Sequence, residues 1–470
     1  MELNNKHFSD AIETTGAKNN SSSNIAFIIK SLLIGVLCLI LMIPLLLVSD
    51  LVRTRKQESR NVQYEITQRW GQSQFVTTPI LIVPYTPLTE NAEETYLYIL
   101  PKSVDITALL NIEMRHRSIY EVPIYMAQTS IKGEWHTDDI QQAITEVPGK
   151  YDLNRSKISF AISDPTGYHD LVYITVNGQK LRMKSDGSTD LSSMGNTDLY
   201  AYNYEGASQA FDNSVFINSG TQSANFPIEL GEDNKIIPFD LSLDIAGSND
   251  FGFVTAASSS TVKASGNWSA PAFLGGSLPT NYTISEADFQ VQWKNFYEDS
   301  YMAPSLFSSF ASKGSYINFT NPADHYAQTE RSTKYGVLVI VLTILSVFLV
   351  ELSIRRKNGA PINFLHYALS GLSLVLFYSL LLSFSEIIGF GWAYLIAAVM
   401  TVGLNTLYFR SVLRSTRKAI LLGAIMSVLY LAVYLLMQMK TYALLTGSIT
   451  LFIILAIVMY FSAKVLKERP

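Results

Sequence analysis

The chain has 470 residues, a net charge of −4 and a single cysteine, Cys38. That length accommodates a sizeable soluble domain together with a membrane bundle. The near-neutral charge, with no basic tract, excludes the Lys/Arg footprint that nucleic-acid binding requires, and one cysteine excludes an intrachain disulfide.

In chain order, the first feature is an apolar run at 25–48 that follows a polar tail at 1–24. A bilayer core needs about 20 apolar residues in helical form. The run is too long for the apolar core of a signal peptide, and no small-residue cleavage site follows it. Pro44-Leu-Leu-Leu-Val48 instead runs into Asp50 and the basic group Arg53, Arg55 and Lys56, which predicts an uncleaved anchor. Cys38 sits inside it as a small apolar side chain, because a thiol in hydrocarbon has no reason to ionise. The stretch 51–70 predicts a helix that continues the anchor outward.

Between 50 and 334 the periodicity changes from helical to alternating. Phe289-Gln-Val-Gln-Trp293 places apolar side chains on one face and polar ones on the other, as a half-buried strand does. Leu241-Ser-Leu-Asp-Ile245 and Thr261-Val-Lys-Ala264 repeat the pattern. The clearest hairpin joins Leu171-Val-Tyr-Ile-Thr-Val176 to Gln179-Lys-Leu-Arg-Met183 through Asn177-Gly178, a pair that tolerates the positive φ angles of a type I′ turn. Short strands with frequent turns and no βαβ units predict an antiparallel sandwich or open barrel. A Ser/Gly/Asn-rich stretch at 184–210 reads as a long loop.

Five further apolar runs follow, at 335–354, 364–384, 387–409, 419–438 and 442–463, then a tail at 464–470. The predicted fold is an α+β membrane protein with six transmembrane helices, one N-terminal and five C-terminal. Its large β-rich extramembrane domain is inserted between the first two. Arg355, Arg356 and Lys357 follow the second span, and Arg410, Arg414, Arg417 and Lys418 follow the fourth. Lys464, Lys467 and Arg469 lie in the tail, whereas the alternate turns carry only Glu386 and Lys440. Basic short loops face the cytoplasm, so both termini are expected inside and the domain outside. Arg53, Arg55 and Lys56 dissent, but they flank a domain too long for the rule to count.

Several stretches together resemble the inner-membrane CreD family. They are Asn267-Trp268-Ser269 leading into Pro271-Ala-Phe273-Leu274-Gly275 and Leu278-Pro279, then the Phe289–Trp293 strand. Pro322-Ala323-Asp324-His325-Tyr326 follows, continuing through Arg331-Ser-Thr333-Lys334-Tyr335 into a span. In the bundle, Gly371-Leu-Ser373-Leu-Val-Leu-Phe377-Tyr378 leads to Ser385-Glu386 and Gly389-Phe390. The resemblance implies a bacterial inner-membrane protein with a periplasmic domain, tied to cell-envelope integrity and controlled by a two-component sensor system. It brings no catalytic residues and no cofactor. It also drains meaning from the glycosylation sequons at Asn267 and Asn281, which bacteria seldom use.

The sequence holds no HExxH, CxxC, GxSxG or Walker-type GxxxxGK[ST] motif, and none of its six histidines is spaced with another as a helical metal pair. His136, near Asp138 and Asp139, reads as part of a solvated loop after Trp135. The junction residues Asp324, His325, Tyr326, Glu330, Arg331 and Lys334 form either an interfacial collar or a relay between domain and bundle, two readings that are compatible. Polar groups within the spans are the sharper lead. Glu351 and Glu386 fall near helix ends, within reach of water or headgroups. Asn405 lies deeper and must find a partner on a neighbouring helix. His366, Ser370 and Ser373 share one helical stripe. A solute path would use such groups, and so would interhelical hydrogen bonds that merely hold a bundle together.

The expectation is a non-enzymatic envelope protein whose domain binds or senses an envelope component. Its expected partners are the bilayer and envelope components or other membrane proteins. The alternative is a transporter or channel-like protein moving a small or lipidic solute. An enzyme would need a carboxylate pair converging in a cleft.

Overall fold

A computed structural model describes residues 3–186, 220–230, 235–302, 314–319, 325–355 and 362–438, with 448, 452, 456 and 459. All but four residues of the expected sixth span at 442–463, the C-terminal tail, most of the loop at 184–210, Asp324, Arg356 and Lys357 lie outside the described residues. The chain divides into two compact units, Met1–Glu58 with Ala323–Pro470, and Ser59–Pro322.

The helices are α1 (Leu3–Trp70), α2 (Thr137–Glu146), α3 (His325–Lys334), α4 (Gly336–Arg355), α5 (Phe364–Ile388), α6 (Phe390–Leu413) and α7 (Thr416–Gln438). Among the described residues four are long and apolar enough to cross a membrane, within α1 and along α5, α6 and α7; α3 and α4, bent by 43° at Tyr335, make a fifth if they form one span. The anchor does continue outward as a helix, to Trp70. Gly389, at φ +79°, separates α5 from α6, so Ile387 closes the earlier helix instead of opening the next.

Within residues 28–48 of α1 the buried side chains are Ile34, Leu37, Leu41 and Leu45, while Leu32, Leu33, Leu39, Ile43, Leu46 and Leu47 stay exposed. Spacings of three, four and four make one stripe, which packs with α4–α7 into a single apolar core. Two glycines make room for it. A Cβ at Gly371 would stand 2.1 Å from Leu41 Cδ1, and one at Gly336 would stand 2.8 Å from Leu45 Cδ1. The remaining apolar faces are what a helix shows to lipid.

The other unit is built from two sheets. The eight-stranded sheet runs in the order Asn281–Ile284, Phe289–Phe296, Ser259–Gly266, Ser103–Arg117, Tyr120–His136, Ile236–Ser248, Tyr173–Val176, Gln179–Arg182. The other, of eleven strands, is centred on Asp250–Val254, Gln74–Thr77, Lys157–Ile162 and Ile80–Pro87. Val76, Leu81, Phe160 and Phe251 from the larger sheet join Ile106, Ile131, Leu241 and Trp293 from the smaller in one core, as in a sandwich. Phe75, Ile80, Ile82, Tyr98 and Leu100 form a second core on the opposite face of the larger sheet. Burial on both faces explains why Ile80-Leu-Ile-Val83 is continuously apolar.

The expected purely antiparallel arrangement needs correction. Gln74–Thr77 runs parallel to Asp250–Val254, and Ser259–Gly266 runs parallel to Ser103–Arg117. Partners so distant in sequence need no hairpin, and alternation reads the same in either direction. Nor are all strands short, since Ser103–Arg117 and Tyr120–His136 form one long hairpin. The Asn177-Gly178 hairpin stands as read, with φ of 50° and 78° at its turn. His136 is not in a solvated loop. It precedes α2, with Nε2 3.3 Å from Glu134, and Asp139 pairs with Lys102 at 3.3 Å.

Candidate functional site

The polar side chains of the bundle gather into two groups between helices and a third at the junction residues around α3. In the first, Lys30 on α1 donates to Glu351 on α4 and to the carbonyl of Ile362 at 2.8 Å. The Tyr367 hydroxyl of α5 donates to the other Glu351 oxygen at 2.5 Å, and its ring lies 5.5 Å beneath the Lys30 ammonium. The Glu351 side chain is 1% exposed and that of Lys30 18%. Water therefore does not reach Glu351 as its position near a helix end had suggested. The helix end is covered by α1 and α5, and a cation satisfies the carboxylate instead. Lys30 and Tyr367 were not singled out in the sequence, although one lysine inside an otherwise uncharged span demands an acidic partner on another.

The second group joins α5 to α6. Ser370 donates to Asn405 Oδ1 at 2.7 Å, and Asn405 Nδ2 donates to Ser373 Oγ at 2.7 Å and to the Thr401 carbonyl at 2.9 Å. Asn405 thus finds its partner on a neighbouring helix, and both amide hydrogens and the carbonyl are engaged. His366 meets the Tyr408 hydroxyl at 2.6 Å. The stripe of His366, Ser370 and Ser373 therefore faces the stripe of Asn405 and Tyr408, where spacings of three and four repeat on both helices.

The third group is the junction. Glu330 on α3 lies 3.8 Å from both Arg53 and Lys56 of α1. The Tyr326 hydroxyl donates to Glu386 at the end of α5 at 3.1 Å. His325 stands beside Gly389, 3.7 Å from where a Cβ would be, and its buried Nδ1 has no hydrogen-bond partner among the described residues. Arg331 is half-buried and Lys334 exposed. The sequence placed Glu330 in the junction but did not show its partners. It answers two of the three dissenting basic residues, because Arg53 and Lys56 face its carboxylate; the third, Arg55, lies 3.1 Å from Glu58.

These groups can fix α1 at two heights. Lys30 and Arg53 are separated by about 35 Å of helix, comparable with the roughly 30 Å hydrocarbon core. Among the described residues no group of three or more His, Cys, Asp or Glu side chains could hold a metal ion.

A multi-span helical bundle with polar contacts buried between its helices, in one chain with a two-sheet domain, defines an integral membrane protein with a large β-rich domain. The chain belongs to the family described as inner membrane protein CreD, whose pattern matches residues 26–466. It is similar to the inner membrane protein CreD of Escherichia coli (strain K12), with 27% identity over 446 residues, 91% of this chain and 90% of that protein. It is accordingly a protein of the bacterial inner membrane.

Proposed function

We propose that this protein supports envelope integrity without catalysing a reaction: its β-rich domain stands in the periplasm and binds or senses an envelope component, and the bundle anchors it or relays its state. Both termini would lie in the cytoplasm, with a sixth span at 442–463. The carrying observation is the double clamp on α1. Arg53 and Lys56 meet Glu330 next to the residues that enter and leave the domain, and Lys30 meets Glu351 a membrane thickness away. A helix held at both ends can transmit a displacement along its axis. The full engagement of Asn405 within the bundle supports a scaffold more than a path. A second reading, movement of a small or lipidic solute, draws support from the buried Lys30–Glu351 pair, since ionisable groups inside spans often mark pathways.

The test deletes the gene and measures survival under envelope stress, with membrane levels checked for each rescuing chain. Full-length protein should rescue, as should a chain ending after Arg355. Rescue by the shortened chain assigns the activity to the domain and removes the transport reading. Failure of that chain and of full-length Lys30→Met/Glu351→Gln, both at normal abundance, moves the activity into the bundle.

A further inference from the structure

The outward face of the eight-stranded sheet carries a cavity of about 470 Å³. Strand register arranges its floor as a grid. Thr107, Ser130 and Ser242 lie in one row across three strands, and Leu109, Gln128 and Asp244 in the next. The grid measures about 10 Å across the strands and about 7 Å along them. It is a recess because Tyr173–Val176 pairs with its neighbour only at residues 239–241. Alongside Ser242 and Asp244, the segment carrying Tyr168, Asp170 and Leu171 forms a wall instead. That wall is anchored by the Tyr168–Ile245 bridge and by the Tyr168 hydroxyl, which donates to the Gly220 carbonyl at 3.1 Å. The recess is therefore formed in advance of any ligand, which lowers the ordering cost of binding.

Its chemistry selects a ligand class. Hydroxyls, one amide and the carboxylates of Asp170 and Asp244 line it, with no Lys, Arg or His. In the row beyond, Lys132 lies 3.3 Å from Asp240 and is neutralised there. Lys263, across from Thr107 in the first row, lies one strand outside the lining, so phosphates and other anions meet first the negative charge of Asp170 and Asp244, which selects against them. Carboxylates and amides accept hydrogen bonds from vicinal hydroxyls, and charge-assisted bonds are the stronger kind. Leu109 and Leu171, 55% and 59% exposed, offer apolar surface beside the floor and on the wall, suited to the C–H faces of pyranose rings.

We propose that this recess binds a neutral oligosaccharide. The proposal rests on the reading that the domain engages an envelope component, and it names the ligand class and the place. The test uses the full chain in nanodiscs and titrates it calorimetrically with a neutral N-acetylglucosamine tetramer and, separately, a neutral glucose tetramer. At least one should bind, and the preferred one identifies the kind of sugar. Ser242→Ala/Asp244→Asn should weaken that binding about tenfold or more with an unchanged thermal transition, since both side chains are exposed to solvent on the sheet face. Failure of both tetramers, or binding that the double substitution leaves intact, overturns the proposal, as does equal binding of an oligogalacturonate. The same variant in the stress assay separates the two readings. Loss of sugar binding with rescue intact upholds the site and takes sensing away from it. A wild-type chain that binds neither tetramer yet rescues overturns the site and leaves the envelope reading standing.

Discussion

Asp250 joins segments that the sequence places far apart. Its carboxylate accepts from the Ser73 hydroxyl at 2.8 Å and from Asn318 Nδ2 at 2.6 Å, while its carbonyl accepts from the Tyr125 hydroxyl at 2.6 Å. Burial raises its carboxyl above the ordinary aspartate value, against the two hydrogen bonds that lower it. A carboxylate raised in this way favours the fold most below about pH 3.9, the unfolded value, and loses that contribution as pH rises through the folded value. Asp250→Asn keeps an acceptor for Asn318 and removes the charge, so at neutral pH it should leave stability unchanged or raise it. It should also flatten the difference in stability between pH 4 and 7. Asp250→Ala removes the acceptor of two half-buried donors and should cost about 1 kcal/mol. Hydrogen exchange at Phe251–Val254 and Ser315–Asn318 in the full chain reads all three. Lys30→Ala leaves Glu351 buried with Tyr367 but without its cation, at a cost of about 3 kcal/mol in micellar denaturation. Lys30→Met/Glu351→Gln should recover most of that loss, because no unpaired charge remains. Asn405 could be picked out in advance because an amide inside a span must be satisfied. Asp250 could not, because nothing local distinguishes it from a surface aspartate.

At the scale of elements, what was legible follows from local rules. The stripe spacing in α1, the Asn177-Gly178 turn and the alternation of Phe289–Phe296 are each decided within a few residues. The parallel pairing of Gln74–Thr77 with Asp250–Val254 is decided by chain returning from far away, and no window of sequence contains it. Helix α2 escaped notice although Ile140, Ala143 and Ile144 keep helical spacing, because its ten residues are short beside the long strand that precedes them. Asn267, read first as a sequon, turns its amide onto the Ile112 backbone, accepting from its N–H at 2.6 Å and donating to its carbonyl at 3.0 Å. The close approach of α1 and α5 is equally invisible until Leu41 and Gly371 face each other. Gly371→Val should force the helices apart and cost about 1–3 kcal/mol. Adding Leu41→Ala should recover part of the loss if the clash is the cause, as denaturation midpoints of the two variants would register.

For the whole molecule, orientation turns on how the basic residues are weighed. Arg410, Arg414, Arg417 and Lys418 lie between the start of the last turn of α6 and the first turn of α7 with no acidic residue among them, as the cytoplasmic side of a short loop requires. Arg53 and Lys56 argue for the opposite side only if they are counted as free charges, and Glu330 lies within 3.8 Å of both. Arg55 lies 3.1 Å from Glu58 in turn, and removing all three from the count leaves the short-loop signal unopposed. Cys38 is the sole thiol in the sequence, so Cys38→Ala provides a background in which any added cysteine reports alone. Ser285→Cys in the domain and Thr416→Cys at the head of α7 are both at exposed positions. In cells whose outer membrane alone has been opened, a membrane-impermeant maleimide should label Ser285→Cys at once, and Thr416→Cys only after the inner membrane is breached. The reverse pattern would put the domain in the cytoplasm. It would remove the oligosaccharide recess from any envelope glycan and show that Arg53 and Lys56 act as topogenic charges despite Glu330.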